Sequence, residues 1–239
     1  MSLDAFFTLF RPKGSVGLQY SLAAKDAALK RIEDGGDNPQ ILNAAFLEAF
    51  KRMNAISPNY GRGTGLPLEN WWERVVTQTY TLAQYDPDFI KSPRFKILFQ
   101  TLYHGFGDST RYEVFPEVRK SLDNLKGMKL AVISNSDSRL ANILKSLELH
   151  HYFDEVVTSY EAGSLKPDPR IFAVTLKKLN VLPQEALHVG DDFKTDFGGA
   201  SNARMHALLL RRRACNLQDN EISGLDQVVT WLEKSKRIV

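Results

Sequence analysis

Residues 129–134 read Lys-Leu-Ala-Val-Ile-Ser, a short apolar run with β-branched members. That pattern predicts a strand buried on both faces. Three later runs share it: 155–159 (EVVTS), 186–190 (ALHVG) and 206–210 (HALLL). Helix-like stretches lie between them, at 138–147, 169–179 and 193–203. The alternation predicts an α/β fold, a doubly wound parallel sheet with right-handed crossovers. Active sites of such sheets lie at the carboxyl ends of the strands, near the point where strand order reverses. Four polar segments fall at strand ends: LDAFFTLF (3–10), VISNS (132–136), SLKPDPRIF (164–172) and HVGDDFKTDFGGA (188–200).

Residues 14–112 do not alternate. They read as helices over 16–33, 38–54, 68–85 and 92–105. Gly35-Gly36, the stretch SPNYGRGTGLP at 57–67 and Asp86-Pro87 act as breakers. An all-helical block between the first strand and the rest predicts an inserted cap, 14–112, on a core of 1–13 and 113–239. A last short helix is expected at 224–236. Only Met1, Ser2 and Leu3 precede Asp4, whereas a buried strand has about 5 residues. That shortness suggests that natural residues are missing and that the start is artificial.

The chain has 239 residues, 43% hydrophobic and 25% charged, with a formal net charge of +3. This balance fits a soluble globular protein and argues against a nucleic-acid partner. The longest basic run, Arg211-Arg212-Arg213, follows Ala207-Leu208-Leu209-Leu210 and reads as the solvated end of a strand. The single cysteine, Cys215, excludes an internal disulfide and fits a reducing compartment. No apolar run approaches the roughly 20 residues of a membrane helix. The expected location is intracellular, in the cytoplasm unless an organellar targeting segment has been removed.

Asp4 ends the first strand, where a carboxylate can attack phosphorus and form an aspartyl-phosphate. Thr8 can hydrogen-bond in the turn that follows. The plainer reading of both is a satisfied turn. Ser134 and Asn135 end the next strand, where a hydroxyl and a backbone amide can hold a phosphoryl oxygen, or where the same residues can cap a helix. Lys166 lies in Leu-Lys-Pro-Asp-Pro, and the proline after it restricts its backbone to an extended form. A fixed ammonium offsets repulsion between a charged nucleophile and a phosphate. Asp191, Asp192 and Asp196 repel one another unless a cation intervenes, and hard oxygen ligands favour Mg²⁺. A helix N-terminus could account for one or two of these acids, but hardly for three.

Taken together, these residues resemble the haloacid dehalogenase superfamily, whose signatures run Asp-x-Asp-x-Thr, Ser/Thr, Lys and Gly-Asp-x-x-x-x-Asp. The likeness covers the whole core, implies its Rossmann-like fold, and makes the helical insertion similar to that family's cap. A narrower likeness is to the eukaryotic group called haloacid dehalogenase-like hydrolase domain-containing protein 3 and its fungal relatives. It is carried by Pro58-Asn59-Tyr60-Gly61, Gly65-Leu66, Trp71-Trp72, the run 131–135 and the run 166–172. The resemblance implies a metal held by Asp4, the backbone carbonyl of Phe6 and Asp191, with Asp196 in support. It also exposes a departure. The family's phosphatases carry a second Asp two residues after the nucleophile, as general acid and base; here that residue is Phe6.

Within the expected cap, Trp71 and Trp72 read as core. Arg62 and Arg11 are candidate contacts for a substrate anion. The leading expectation is a Mg²⁺-dependent hydrolase acting on a small phosphorylated molecule, through Asp4, Thr8, Ser134 and Lys166. One alternative is a weakly active or non-catalytic protein that binds a ligand through the retained pocket. Another is a 2-haloacid dehalogenase, because those enzymes resemble Asp-Ala-Tyr-Gly-Thr at the first motif, with an aromatic where Phe6 stands. They do not need a metal, however, and the acidic cluster looks kept for one.

Overall fold

The computed structural model of this chain describes residues 1–32 and 38–235. Gly35-Gly36, the helix end expected at Glu33 and the one expected at Lys236 lie outside them. The strands are β1 (Ser2–Leu3), β2 (Phe10–Pro12), β3 (Tyr112–Val114), β4 (Ala131–Ser134), β5 (Glu155–Thr158), β6 (Leu187–Gly190), β7 (His206–Leu210) and β8 (Glu221–Ile222). Six form one sheet in the order β5-β4-β1-β6-β7-β8, with every pairing parallel.

The short first strand is central. Leu3 pairs with Val132 on one side and Val189 on the other. The chain builds outward from β1 through β4 to β5, then returns to β6 and continues the other way. Strand order therefore reverses at β1, which brings the ends of β4, β1 and β6 side by side.

The chain divides into two compact units, Met1–Arg11 with Val114–Val239, and Pro12–Glu113. In the first, helix Pro169–Leu179 shows how local sequence fixes the fold. Asp168 caps it by accepting from the Arg170 N–H, Pro169 supplies a preset first turn, and Asn180 ends it in a left-handed conformation. Its apolar face places Ile171, Phe172 and Leu176 in a core with Ile133, Val157 and Met205. Burying a side chain such as Phe172 stabilises the fold by about 1.5–3 kcal/mol.

The second unit holds helices Val16–Asp26, Pro39–Ile56, Leu68–Leu82 and Pro93–Gly105, around a core that includes Tyr20, Leu42, Tyr80 and Phe99. Trp71 is fully buried there and donates from Nε1 to the Ser57 carbonyl at 2.8 Å. Trp72 is half-buried against the same aromatic cluster.

Some expected boundaries move for local reasons. The helix expected over 16–33 ends at Asp26 because Ala28 adopts a left-handed φ of 54°. Beyond it, the Ile32 N–H donates to the Gln84 carbonyl at 3.0 Å and the Asp86 N–H to the Lys30 carbonyl at 3.0 Å, so these residues leave the helix to pair in extended form. The helix expected over 193–203 splits into a π-helical turn, Phe193–Gly198, and a short helix, Gly199–Asn202.

Candidate active site

Asp4 follows β1, with its N–H bonded to the Val189 carbonyl at 2.9 Å. Its carboxylate meets Lys166, whose side chain is 2% exposed. The Lys166 ammonium donates to Asp4 Oδ1 at 2.7 Å, Asp196 Oδ1 at 2.5 Å and the Ile133 carbonyl at 2.9 Å. Thr8 is buried and donates to Asp191 Oδ1 at 3.3 Å. One oxygen from each of Asp4, Asp191 and Asp196 lies within 4.8 Å of the other two.

The third acid of the sequence cluster does something else. Asp192 caps the π-helical turn, accepting from the Lys194 and Thr195 N–H groups at 2.9 and 2.6 Å. Asp4 stands with Asp191 and Asp196 in the carboxylate group. The turn itself brings Asp196 back against β6: its N–H bonds the Asp192 carbonyl, and its Oδ2 accepts the Asp192 N–H at 3.0 Å. Gly190 permits this approach, because a Cβ there would collide with the Asp196 carboxylate.

The charges in this group are unequal. For Lys166, burial favours the neutral form, but Asp4 and Asp196 outweigh it and raise its pKa. For Asp196, burial again opposes ionisation, yet the His188 hydrogen bond and the Lys166 charge hold it well below the ordinary range. Asp4 goes the other way: burial raises it, Lys166 pulls it down, and the Asp196 charge adds to the rise. Burial, then the charges of Asp4 and Asp196, push Asp191 up to about 7. Three carboxylates against one ammonium leave two negative charges when all are ionised. An octahedral Mg²⁺ carries that charge and takes oxygen ligands, so the residues fit the ion. Asp196 already receives three donors, whereas Asp191 receives the Thr8 hydroxyl.

A family model described as a haloacid dehalogenase-like hydrolase matches residues 18–204. The chain belongs to the haloacid dehalogenase-like hydrolase family. It is 36% identical over 210 residues to haloacid dehalogenase-like hydrolase domain-containing protein 3 of Xenopus laevis, covering 87% of this chain and 82% of that one. Among solved structures, a 2-haloacid dehalogenase from Pseudomonas syringae pv. Tomato DC3000 is 25% identical with a TM-score of 0.67, over 98% and 97% of the two chains. A HAD phosphatase from Thermococcus onnurineus shares the fold at 24% identity and a TM-score of 0.59, over 97% and 96%. The family's Rossmann-like sheet is therefore the sheet seen here.

The other site candidates of this haloacid dehalogenase-like hydrolase fall in several places. Ser134 is buried at the end of β4 and has no side-chain partner among the described residues. The Asn135 side chain clasps the Lys166 backbone, donating to its carbonyl at 2.9 Å and accepting from its N–H at 2.7 Å. The Phe6 ring packs edge-on against Phe10, 5.0 Å between centroids. Arg11 is exposed, with its guanidinium 5.2 Å from the Phe115 ring centre. Arg62 is exposed in the helical unit, in the loop after the turn Asn59–Gly61.

Two contributors escaped the sequence reading. His188 is buried on β6, with Nε2 3.2 Å from Asp196 Oδ1 and Nδ1 2.9 Å from the Ser2 hydroxyl. Burial lowers its pKa and keeps it neutral. Because a carboxylate only accepts, the proton sits on Nε2 and the Ser2 hydroxyl donates to Nδ1. Arg212 was expected at a solvated strand end, yet its side chain is only 20% exposed. It donates to the Phe7 carbonyl at 3.3 Å and the Thr8 carbonyl at 2.7 Å, pairs with Glu117, and lies 3.6 Å from the Phe115 ring centre. A hydrophobic strand end followed by basic residues gave no signal of that clasp.

Proposed function

We propose that this protein is a Mg²⁺-dependent phosphatase of a small phosphorylated molecule, with Asp4 as nucleophile. The observation that carries this reading is the shared position of Asp4, Asp191, Asp196 and Lys166 at the carboxyl ends of the central strands. An Asp4 carboxylate oxygen attacks phosphorus, the bond to the leaving oxygen breaks, and the aspartyl-phosphate is then hydrolysed to phosphate and free Asp4. Lys166 offsets repulsion between the two anions. Ser134 and the backbone beside Asn135 hold phosphoryl oxygens, and Thr8 orients Asp191. Asp4, the Phe6 carbonyl and Asp191 would hold Mg²⁺, which supplies further positive charge to the phosphoryl group. Asp196, fastened by His188 and the Asp192 N–H, supports the site. Arg11 and Arg62 are the proposed contacts for the rest of a charged substrate, with the helical unit serving as cap.

Phe6 cannot give a proton to the leaving oxygen. General acid catalysis contributes ~10²–10⁴-fold, so substrates whose leaving group departs unprotonated are favoured: acyl phosphates and aryl esters over sugar phosphates. The same residue supports a second reading, a weakly active or non-catalytic protein that binds a phosphorylated ligand. Phe6 also aligns the chain with dehalogenases, but the excess negative charge around Asp191 favours a metal-assisted reaction.

Mg²⁺-dependent phosphate release from acetyl phosphate, para-nitrophenyl phosphate and several sugar phosphates tests this reading, with Asp4→Asn as the control. Release abolished by the substitution is expected. Folded protein that binds Mg²⁺ but releases no more phosphate than Asp4→Asn would favour the binding role.

A further inference from the structure

Phe7 has φ at +59°, in the left-handed region that suits glycine and penalises a bulky side chain. Its ring gains little burial in return, since the residue is 53% exposed. The backbone is nevertheless fixed from both sides. The Phe7 N–H donates to the Phe10 carbonyl at 2.7 Å, and its carbonyl accepts from Arg212. A backbone outlier that its neighbours hold in place, next to a reacting group, points to function. Phe7 lies three residues past Asp4 and one before Thr8, which touches Asp191. The loop from the adjacent β6 carries a second exposed ring, Phe193, 68% exposed and two residues past Asp191. Phe193 stacks on Phe197 at 5.6 Å and 14°, which steadies it.

We propose that Phe7 is a specificity-determining residue whose ring packs against a planar aromatic group on the leaving-group side of the substrate, with Phe193 as a second apolar wall. This deepens the phosphatase reading and rests on it. It differs from the effect of Phe6, which favours any leaving group that departs unprotonated, whether aromatic or not. The Phe7 contact distinguishes aromatic groups from small aliphatic ones, and so acts on binding.

The test is calorimetric binding of phenylphosphonate and methylphosphonate, each with MgCl₂, to wild type, Phe7→Gly and Phe7→Tyr. Glycine adopts a φ of +59° freely, so Phe7→Gly retains the turn. Wild type is expected to prefer phenylphosphonate. The preference should fall about tenfold in Phe7→Gly, the order of one ring stack, and persist in Phe7→Tyr. The ratio of kcat/KM for para-nitrophenyl phosphate over acetyl phosphate should fall by a similar factor in Phe7→Gly. An equal preference in wild type and Phe7→Gly, or its loss in Phe7→Tyr as well, overturns the proposal. Absent turnover with a Phe7-dependent preference for phenylphosphonate removes the phosphatase reading and leaves the aromatic contact standing.

Discussion

Lys166 bonds both Asp4 and Asp196, at 2.7 and 2.5 Å, yet the two carboxylates respond in opposite directions. Asp196 is held in its anionic form, while burial and the Asp196 charge raise Asp4. The difference lies in their other partners. Asp196 also receives His188 and the Asp192 N–H; besides the ammonium, Asp4 has the Ala5 N–H, which does not offset its burial. Lys166→Met leaves both acids buried without a counter-ion, a change that costs about 3–5 kcal/mol. Chemical denaturation at pH 8 should report that loss. Near pH 5 the loss should shrink, because an acid without a counter-ion can take up a proton.

Asp191 offers a pH test with a fixed sign. Its folded pKa of about 7 exceeds its ordinary value of 3.8. A raised acid contributes stability that is present below the ordinary value and lost as pH rises through the folded one. Without metal, Asp191→Asn should therefore melt higher than wild type at pH 8, by on the order of a few degrees. At pH 4 the two should melt together. Added Mg²⁺ should raise the wild-type melting temperature and leave the variant unchanged. A variant that melts lower at pH 8 without metal would contradict the charge excess assigned to this group.

His188 fixes Asp196 from within β6. Replacing it with Leu removes a hydrogen bond to a charged acceptor, a loss of about 1.5–3 kcal/mol. Denaturant titration measures it, and Mg²⁺ affinity should weaken alongside because Asp196 loses a fixed orientation. Phe172, packed edge-on to the His188 ring at 5.3 Å, keeps the apolar wall intact in the variant.

Phe6→Asp restores a carboxyl group to the position that the family's phosphatases use for proton transfer. Turnover of sugar phosphates should rise by at least about tenfold, toward the ~10²–10⁴ that general acid catalysis supplies. Acetyl phosphate turnover should change far less, since its leaving group departs without a proton. A steady-state comparison of the two substrates would show a uniform change if Phe6 were not the reason for the substrate ranking.

The parallel sheet was legible because β4, β5, β6 and β7 are buried on both faces, and their apolar runs stand out against helical spacing. Lys166 and the Asp pair could be located because strand ends in such a sheet converge at the order reversal. Other features depend on contacts that local pattern does not encode. That Asp192 turns away to cap the π-helical turn depends on how that turn spaces its residues. His188 looked like one more strand residue, since nothing in the run ALHVG marks its ring for Asp196. Arg212 was hidden among three arginines. Its clasp depends on two carbonyls more than 200 positions away. The end of the first helix at Asp26 depended on residues 30–32 pairing with 84–86, a long-range choice that overrides helix propensity.

The span of the Arg212 clasp also matters while the chain is being made. Asp4 leaves the ribosome before its partners Lys166, Asp196 and, through the Phe7 and Thr8 carbonyls, Arg212. At roughly 5–20 residues per second, Asp4 waits roughly 10–40 seconds for Asp196. The helices of Pro12–Glu113 can close their own core in that interval. A ribosome that pauses before residue 196 would thus hold a nascent chain whose helical unit can form while the carboxylate group around Asp4 is still incomplete, so translation itself sets when that group can first assemble.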